Sequence, residues 1–282
     1  MGGFGRRDMK FIDEFRNKEI AEGLIQRIQK TSTRPIQLME VCGTHTVSIF
    51  RYGIRGLLPQ HIRLLSGPGC PVCVTPNNDI DLAIALSRQK DVIIVTFGDM
   101  MKVPGSTSSL QKEKAEGRDI RIIYSSLDAL NIAKEHLEKR VIFFAIGFET
   151  TSPTIAVAIL RTREEKTQNL FFLNSQKQIP PAIRALLRSN QLKIDGFILP
   201  GHVSTIIGIK PYQFIAKEFG RPAVVTGFEP LDILQGIWML VKQIEEERSS
   251  IEIQYRRVVR EEGNPIALGK INEVFERDEG RW

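Results

Sequence analysis

The alternation of two kinds of segment constrains the fold of this chain more than any other feature of its 282 residues. Strand-like runs rich in β-branched residues, such as DVIIVTF and RVIFFAI, recur between helix-length amphipathic segments. Strands are predicted at 35–40, 61–65, 91–97, 120–124, 140–146, 169–174, 194–199 and 222–226. Helical patterns lie between them, for example at 78–89, 126–138, 153–165, 180–190 and 211–219. Near-continuous apolar strands separated by helices predict an α/β fold with parallel sheets covered on both faces.

Six Gly-rich polar loops follow predicted strands, three in each half of the chain. The first half has CGTHT, GPGCPVC and FGDMMKVPGS, and the second has IGFETTSP, LPGHVSTIIG and TGFEPLD. Ligands of open α/β sheets bind at the carboxyl ends of the strands. We therefore predict two similar parallel-sheet α/β/α domains, 34–119 and 120–229, that face a central cleft. The terminal segments 1–33 and 230–282 are predicted to pack together as a helical element.

Charge and composition exclude several classes of function. The net charge is +6 and the pI about 9.3, but Lys and Arg are scattered, with no aromatic-basic stripe that would indicate nucleic-acid binding. Apolar runs such as VIFFAIGF are too short to span a bilayer, and the N-terminus has no apolar signal segment. We expect a cytoplasmic protein with no membrane or nucleic-acid partner. A mild basic surface would favour an acidic partner protein.

Two of the three cysteines, Cys70 and Cys73, form a Cys-Pro-Val-Cys pair. This is the spacing of redox dithiols, and a helix predicted to begin at 76–78 would lower the pKa of one thiol. Two alternatives remain open, a packed pair of small hydrophobic residues and half of a zinc site. The surrounding Gly and Pro residues argue against a core position, and no second pair exists to complete a zinc site.

The third cysteine, Cys42, lies in CGTHT at a predicted strand end. A thiolate is a soft ligand for iron, copper or zinc, and His45 could ligate or hydrogen-bond beside it. Alternatively, Thr44 caps the following helix, His45 is a satisfied polar residue, and Cys42 has no chemical role.

Four further polar residues follow or flank a glycine at a predicted strand end: Asp99, Glu149, His202 and Glu229. One such residue would be an ordinary cap or turn residue, but four at equivalent edges exceed what turns require. None of the glycine loops matches a nucleotide-binding motif.

In their order along the chain, CGTHT, GPGCPVC, GDMMKVPGS, GFETTSP, PGHVS and GFEPLDIL resemble the loops of the HypD family of hydrogenase maturation factors. The resemblance runs from about residue 10 to the C-terminus. It implies a scaffold for assembly of the Fe(CN)₂CO group of nickel–iron hydrogenase, acting with a small HypC-type chaperone and a HypE-type cyanide donor. Such a scaffold is not a conventional turnover enzyme.

The resemblance also implies residue roles. Cys42 would hold iron together with a cysteine of the chaperone, with His45 as a possible second ligand, and Cys70 and Cys73 would be the redox dithiol. His202 and Glu149 would act at the reacting groups. The remaining implied binding residues are Thr44, Asp99, Thr150 and Glu229.

One feature departs from the family pattern. The resemblance implies a 4Fe–4S cluster held by four further cysteines near the C-terminus, but no cysteine follows Cys73 in this sequence. Two other functions stay open. One is a stand-alone thiol–disulfide oxidoreductase that uses Cys70 and Cys73, and the other is a two-domain small-molecule binder in which the cysteines are incidental.

Overall fold

The computed structural model describes residues 13–189 and 193–278. Within these ranges the strands are β1 (Ile36–Glu40), β2 (Ile62–Ser66), β3 (Val92–Phe97), β4 (Ile120–Ile123), β5 (Arg140–Gly147), β6 (Leu170–Gln176), β7 (Gly196–Pro200), β8 (Ala223–Thr226) and β9 (Ile251–Ile253). The helices are α1 (Lys18–Thr31), α2 (Gly43–Arg51), α3 (Ile54–Leu57), α4 (Asn77–Ser87), α5 (Leu110–Ala115), α6 (Asp128–Glu135), α7 (Ser152–Glu164), α8 (Ile179–Ser189), α9 (Gly201–Ile207), α10 (Gln213–Lys217), α11 (Pro230–Glu245) and α12 (Pro265–Val274). Short 3-10 helices lie at Asp13–Phe15, Gly98–Lys102 and Lys210–Tyr212.

The strands form two parallel sheets flanked by helices, which confirms the predicted α/β class with two α/β/α domains. One sheet has the order β2-β1-β7-β8-β9 and the other β4-β3-β5-β6, and every pairing between these strands is parallel. All eight predicted strands are present within a few residues of their predicted bounds. Of the predicted helix 180–190, residue 190 lies outside the described residues, as do 1–12 of the N-terminal segment.

The division of the chain differs from the sequential boundaries predicted above. One compact unit comprises Met1–Gly69 with Ile179–Gly263, and the other comprises Cys70–Gln178 with Asn264–Trp282. The reason is strand order, because β1 pairs with β7 rather than with β3, and β3 pairs with β5. Neither 34–119 nor 120–229 therefore corresponds to one sheet.

The first unit is built on the five-stranded sheet. Its core joins α1, α2, α3 and α11 to one face through residues such as Ile28, Ile49 and Ile237. Helix α1 packs against α11 as a layer of this unit, whereas α12 packs against α7 in the second unit.

The second unit is built on the four-stranded sheet, which helices cover on both faces. One core contains side chains of α4 and α5, and the other contains side chains of α6 and α7. The middle strands are buried on both faces, since Val92–Val95 and Val141–Gly147 contain no exposed residue. This double burial is the physical cause of their continuous apolar sequences.

Each sheet has one point at which the chain departs in opposite directions. In the five-stranded sheet β1 leads to β2 on one side, while its other neighbour β7 leads to β8. In the four-stranded sheet β3 leads to β4, and its neighbour β5 leads to β6. Ligands of open parallel sheets bind at such switch points, beyond the carboxyl ends of the strands. The CGTHT and PGHVS loops flank the first switch point, and the GDMMK and GFETT loops flank the second.

Among the described residues, the structure contains no helix that combines the length and the apolar character needed to cross a bilayer.

Candidate functional site

Cys42 lies at the switch point of the five-stranded sheet, between β1 and α2. Its backbone is extended and it occupies the N-cap position of α2, so Thr44 is not the cap residue. Its thiol is partly buried, and it is the one cysteine of the three outside a disulfide. The Cys42 N–H donates to the Glu40 carboxylate over 3.1 Å, and the Thr46 hydroxyl donates to the same carboxylate over 2.6 Å. Glu40 is 1% exposed, so a buried carboxyl group fixes the backbone of the thiol-bearing loop.

The segment Ser66–Gly69, called the glycine strap below, lies directly against this loop. Gly67 N–H donates to the Glu40 carbonyl over 2.7 Å, and Gly43 N–H donates to the Gly69 carbonyl over 3.1 Å. A Cβ atom on Gly69 would lie 2.4 Å from both the Cα and the N of Cys42. The strap can approach the Cys42 backbone this closely only because Gly69 has no side chain.

The environment of Cys42 favours the neutral thiol in the absence of a ligand. Burial raises the pKa of the Cys42 thiol, and the Glu40 carboxylate raises it further. The N–H groups of Thr44 and His45 at the start of α2 act in the opposite direction but are outweighed. Burial likewise raises the pKa of Glu40. A bound cation would reverse this preference, because a coordinated thiol loses its proton.

His45 is fully buried and has a defined tautomer. Its Nε2 lies 3.0 Å from the Gly227 carbonyl and 2.8 Å from the Thr226 hydroxyl. A carbonyl oxygen can only accept, so Nε2 carries the proton and Nδ1 carries the lone pair. Nδ1 has no hydrogen-bond partner in the part of the chain that the structure describes. Burial lowers the pKa of His45 to about 4, so the ring is neutral at pH 7.

Phe228 connects the two histidines of this unit. Its ring stacks on His45 with centroids 4.6 Å apart and lies 4.0 Å from the ring centroid of His202. Tyr255 contacts Phe228 edge-on at 6.2 Å. His202, at the start of α9, is more exposed, and partial burial lowers its pKa. The contacts among these three rings join the segments that follow β1, β7 and β8.

The carboxylate of Glu229 is paired with a side chain of this chain. It is the N-cap residue of α11, and Arg16 binds its carboxylate with two hydrogen bonds of 2.7 and 3.1 Å. Asp232 completes a capping box with Glu229 and holds Arg257 through bonds of 2.7 and 2.5 Å. These ion pairs fix the loop that carries Phe228.

The second unit holds the other predicted polar residues at its own switch point. Asp99 is exposed in the 3-10 helix after β3. Glu149 is buried in the turn after β5, and the neighbouring Thr150 is exposed. The structure therefore places these three residues beyond the carboxyl ends of two adjacent strands, β3 and β5.

Cys70 and Cys73 are joined by a disulfide bond within a turn. Their Cα atoms are 5.3 Å apart, and Cys73 N–H donates to the Cys70 carbonyl over 3.1 Å. Cys73 is exposed and Cys70 partly buried. Helix α4 begins at Asn77, where the sequence predicted a helix start. The pair is thus neither a set of packed hydrophobic residues nor half of a zinc site in this state.

Comparison with known proteins identifies the family. The HypD family model, described as "Hydrogenase formation hypA family", matches residues 19–282. The chain belongs to the HypD family. It is 47% identical to hydrogenase maturation factor HypD2 of Bradyrhizobium diazoefficiens, over 97% of this chain and 75% of that protein. It is 45% identical to hydrogenase maturation factor HypD of Escherichia coli, over 95% of this chain and 74% of that protein.

The iron–sulfur cluster implied by the family resemblance does not fit the residues of this chain. A cluster of that type takes four cysteine ligands, and this chain has three cysteines, two of them in a disulfide.

No group of three or more His, Cys, Asp or Glu side chains is arranged to hold a metal ion within residues 13–189 and 193–278. His45 Nε2 is occupied by its hydrogen bond to Gly227, and only Nδ1 remains as a donor atom.

Sequence reasoning missed Glu40, Phe228 and the glycine strap. Glu40 stands two residues before Cys42, and a carboxylate ending a buried strand was a usable signal. Phe228 lies in GFEP between Gly227 and Glu229, and an apolar side chain gives no sign of a site in such a motif. The contact of the strap with Cys42 depends on β1 pairing with β2, which the sequence does not reveal.

Proposed function

We propose that this HypD-family chain is the scaffold on which iron receives its cyanide and carbonyl ligands during hydrogenase maturation. Iron is the cargo, held as Fe(CN)₂CO by the Cys42 thiolate and by a cysteine of a HypC-type chaperone. A HypE-type partner brings cyanide as a thiocyanate. The reaction belongs in the cytoplasm, where reductants return a disulfide to the dithiol state.

The observation that carries this proposal is the position of Cys42. It is a single thiol at the topological switch point of a parallel sheet, in a family whose members are named for hydrogenase maturation. Among the described residues no group of three or more potential metal ligands surrounds it, which suits an iron that must also accept diatomic ligands and a partner's thiolate. Soft thiolate ligands favour such an electron-rich iron.

The Cys70–Cys73 pair supplies the electrons in this proposal. Releasing cyanide from a thiocyanate R–S–CN breaks the S–C bond and consumes two electrons. Two thiols supply these electrons when they close to a disulfide, and they release two protons. One proton converts the donor's sulfur to a thiol, the other goes to solvent, and cyanide binds iron through carbon. The disulfide in the structure corresponds to the oxidised end of this cycle.

The polar residues of the two switch points have separate roles in the proposal. His45 and His202 both contact the ring of Phe228 and form a polar wall next to the iron loop, with Thr44 at its exposed edge. Asp99, Glu149 and Thr150 bind the incoming group at the second switch point. Glu229 contributes indirectly, because its carboxylate caps α11 and holds the Phe228 loop through Arg16.

Iron analysis and infrared spectroscopy test this function. The chain is co-purified with the HypC-type and HypE-type proteins under anaerobic conditions. We expect iron in the complex and infrared bands of bound cyanide and carbon monoxide. A complex that forms but contains neither iron nor these bands contradicts the proposal.

A second candidate is a stand-alone thiol–disulfide oxidoreductase, favoured by the exposed Cys73 within a disulfide. Both functions predict one reversible pair with a potential on the order of −120 to −270 mV in graded redox buffers. They differ at Cys42, since an oxidoreductase retains full activity in Cys42→Ala. Iron in the co-purified complex favours the scaffold, and disulfide reduction of unrelated protein substrates favours the oxidoreductase.

A further inference from the structure

Two backbone hydrogen bonds connect the glycine strap to the Cys42 loop, one on each side of the cysteine. On one side, the Gly67 N–H donates to the carbonyl of Glu40, which stands two residues before Cys42. On the other side, the N–H of Gly43, which directly follows Cys42, donates to the Gly69 carbonyl. These bonds extend the parallel pairing of β1 with β2 beyond Glu40 and Ser66. The backbone position of Cys42 is therefore set by the strap as well as by its own strand.

The glycine strap is packed closely against the segment from Met39 to Cys42. A Cβ atom on Gly67 would lie 2.7 Å from the Met39 sulfur and 2.9 Å from the Glu40 carbonyl oxygen. A Cβ atom on Gly69 would lie 2.4 Å from backbone atoms of Cys42. Since the obstructing atoms at Gly69 belong to backbone, a shift of the strap must displace the loop that carries the thiol.

The residue that follows Gly69 in the chain is Cys70, one end of the disulfide. In the oxidised state a short covalent ring through Cys73 closes directly after the strap, and Cys73 N–H donates to the Cys70 carbonyl. Closing a ring removes conformational freedom from the residues it contains and from those attached to it. Reduction removes that restraint at the end of the strap that contacts Cys42.

We propose that the glycine strap transmits the redox state of the Cys70–Cys73 pair to Cys42. The closed disulfide holds Gly69 against Cys42 and keeps its thiol in the partly buried position. The dithiol loosens the bond from Gly43 to Gly69 and makes the Cys42 loop more accessible. Gly69 is thus a positioning residue for Cys42. This inference rests on the proposed function for its purpose, because Cys42 would be accessible to iron while the dithiol is reduced and less accessible once the disulfide has formed.

Site-resolved alkylation measures the coupling without iron or partners. The purified chain is treated with a chelator and prepared in two states, with the disulfide closed and after reduction by dithiothreitol, which supplies the two electrons and two protons. Each state is pulsed with iodoacetamide, and mass spectrometry of peptides quantifies the reaction at Cys42. Loss of one net hydrogen bond corresponds to about a fivefold faster reaction in the reduced protein.

Two variants separate coupling from a general effect of the reductant. In Cys70→Ser/Cys73→Ser the Cys42 rate should equal that of the reduced wild type and should not respond to dithiothreitol. In Gly69→Ala the added methyl group should displace the loop and remove the redox dependence. If Gly69→Ala does not fold, the double serine variant decides alone.

Amide hydrogen exchange gives a second reading of the same event. The peptide containing Gly43 should exchange faster after reduction, while the peptide of α1 in the same unit should not change. Equal alkylation rates at Cys42 in both redox states, with equal exchange at Gly43, overturn the proposal. That result would leave iron binding by Cys42 untouched, so it is distinguishable from failure of the proposed function.

Discussion

At the scale of single residues, the protonation of His45 is the most constrained feature of the site. Its ring is buried, its Nε2–H is directed at the Gly227 carbonyl, and burial lowers its pKa to about 4. An unfolded histidine has a pKa near 6.5. Between these values the unfolded chain binds a proton that the folded chain does not. Acid therefore favours unfolding in this window.

We predict that the free energy of unfolding of the metal-free protein falls as the pH is lowered from about 6.5 to about 4. The neutral His45 should contribute about 3 kcal/mol to the free energy of unfolding. This contribution is fully present above a pH of about 6.5 and is lost below a pH of about 4. The variant His45→Gln retains an N–H for the Gly227 carbonyl but cannot be protonated. Urea unfolding at several pH values should show a shallower decline in that variant, and parallel curves for the two proteins would contradict the assignment.

Some of the candidate site residues could be predicted from the sequence, but the contacts of their side chains could not. The motif loops pointed to Cys42, His45 and His202 because their chemistry stands out among glycines. The contact of the Phe228 ring with both histidines was not predictable, since about 180 residues separate His45 from Phe228 along the chain. Glu229 was predicted as a binding residue, yet its carboxylate is paired with Arg16.

At the scale of elements, the start of α11 organises the edge of the five-stranded sheet. Asp232 is 1% exposed, accepts two bonds from Arg257, and accepts from the Glu229 N–H over 3.3 Å. Arg257 in turn lies over the rings of Phe15 and Tyr255. One buried carboxylate thus joins a helix N-terminus to two aromatic contacts.

We predict that Asp232→Asn lowers the free energy of unfolding by about 2 kcal/mol, because it replaces charged hydrogen bonds with neutral ones in a buried position. Chemical denaturation measures the change. Glu273→Gln is the matched control, since it also removes a carboxylate paired with a cation but on an exposed surface. The control should unfold like wild type. An unchanged midpoint for Asp232→Asn would show that the pair contributes nothing.

The strands were predictable because burial on both faces leaves a continuous apolar signature. Strand β9 was missed because its three residues are too few for a pattern. The first residues of helices α2 and α9 could not be predicted from the sequence, for a different reason. Both begin inside the glycine-rich motifs, where local composition favours a loop and tertiary packing produces a helix.

At the scale of the whole molecule, the chain crosses between its two sheets instead of completing one before the other. Sequence periodicity reports which segments are strands but not which strands are neighbours. The bounds of the two compact units could therefore not be predicted from the sequence. The predicted cleft between the two units remains a proposal. It requires the switch point beside Cys42 to lie near the one beside Thr150.

Crosslinking tests whether these two edges share a site. In a Cys70→Ser/Cys73→Ser background, Thr150→Cys places one exposed thiol at the edge of the four-stranded sheet. We predict that a short bis-maleimide joins it to Cys42 within one chain. Leu137→Cys is the control, because Leu137 is 76% exposed and precedes β5, at the opposite end of that strand. Crosslinking of the control alone, with none at Thr150→Cys, would exclude a shared cleft.

One measurement tests most directly whether Cys42 holds the iron while Cys70 and Cys73 supply the electrons. Iron content and infrared bands are determined for complexes of wild type, Cys42→Ala and Cys70→Ala/Cys73→Ala, each co-purified with the chaperone and the cyanide donor. We predict that Cys42→Ala loses the iron and every band, whereas the double variant retains iron but lacks the cyanide bands. Wild-type iron stoichiometry in Cys42→Ala would contradict the account.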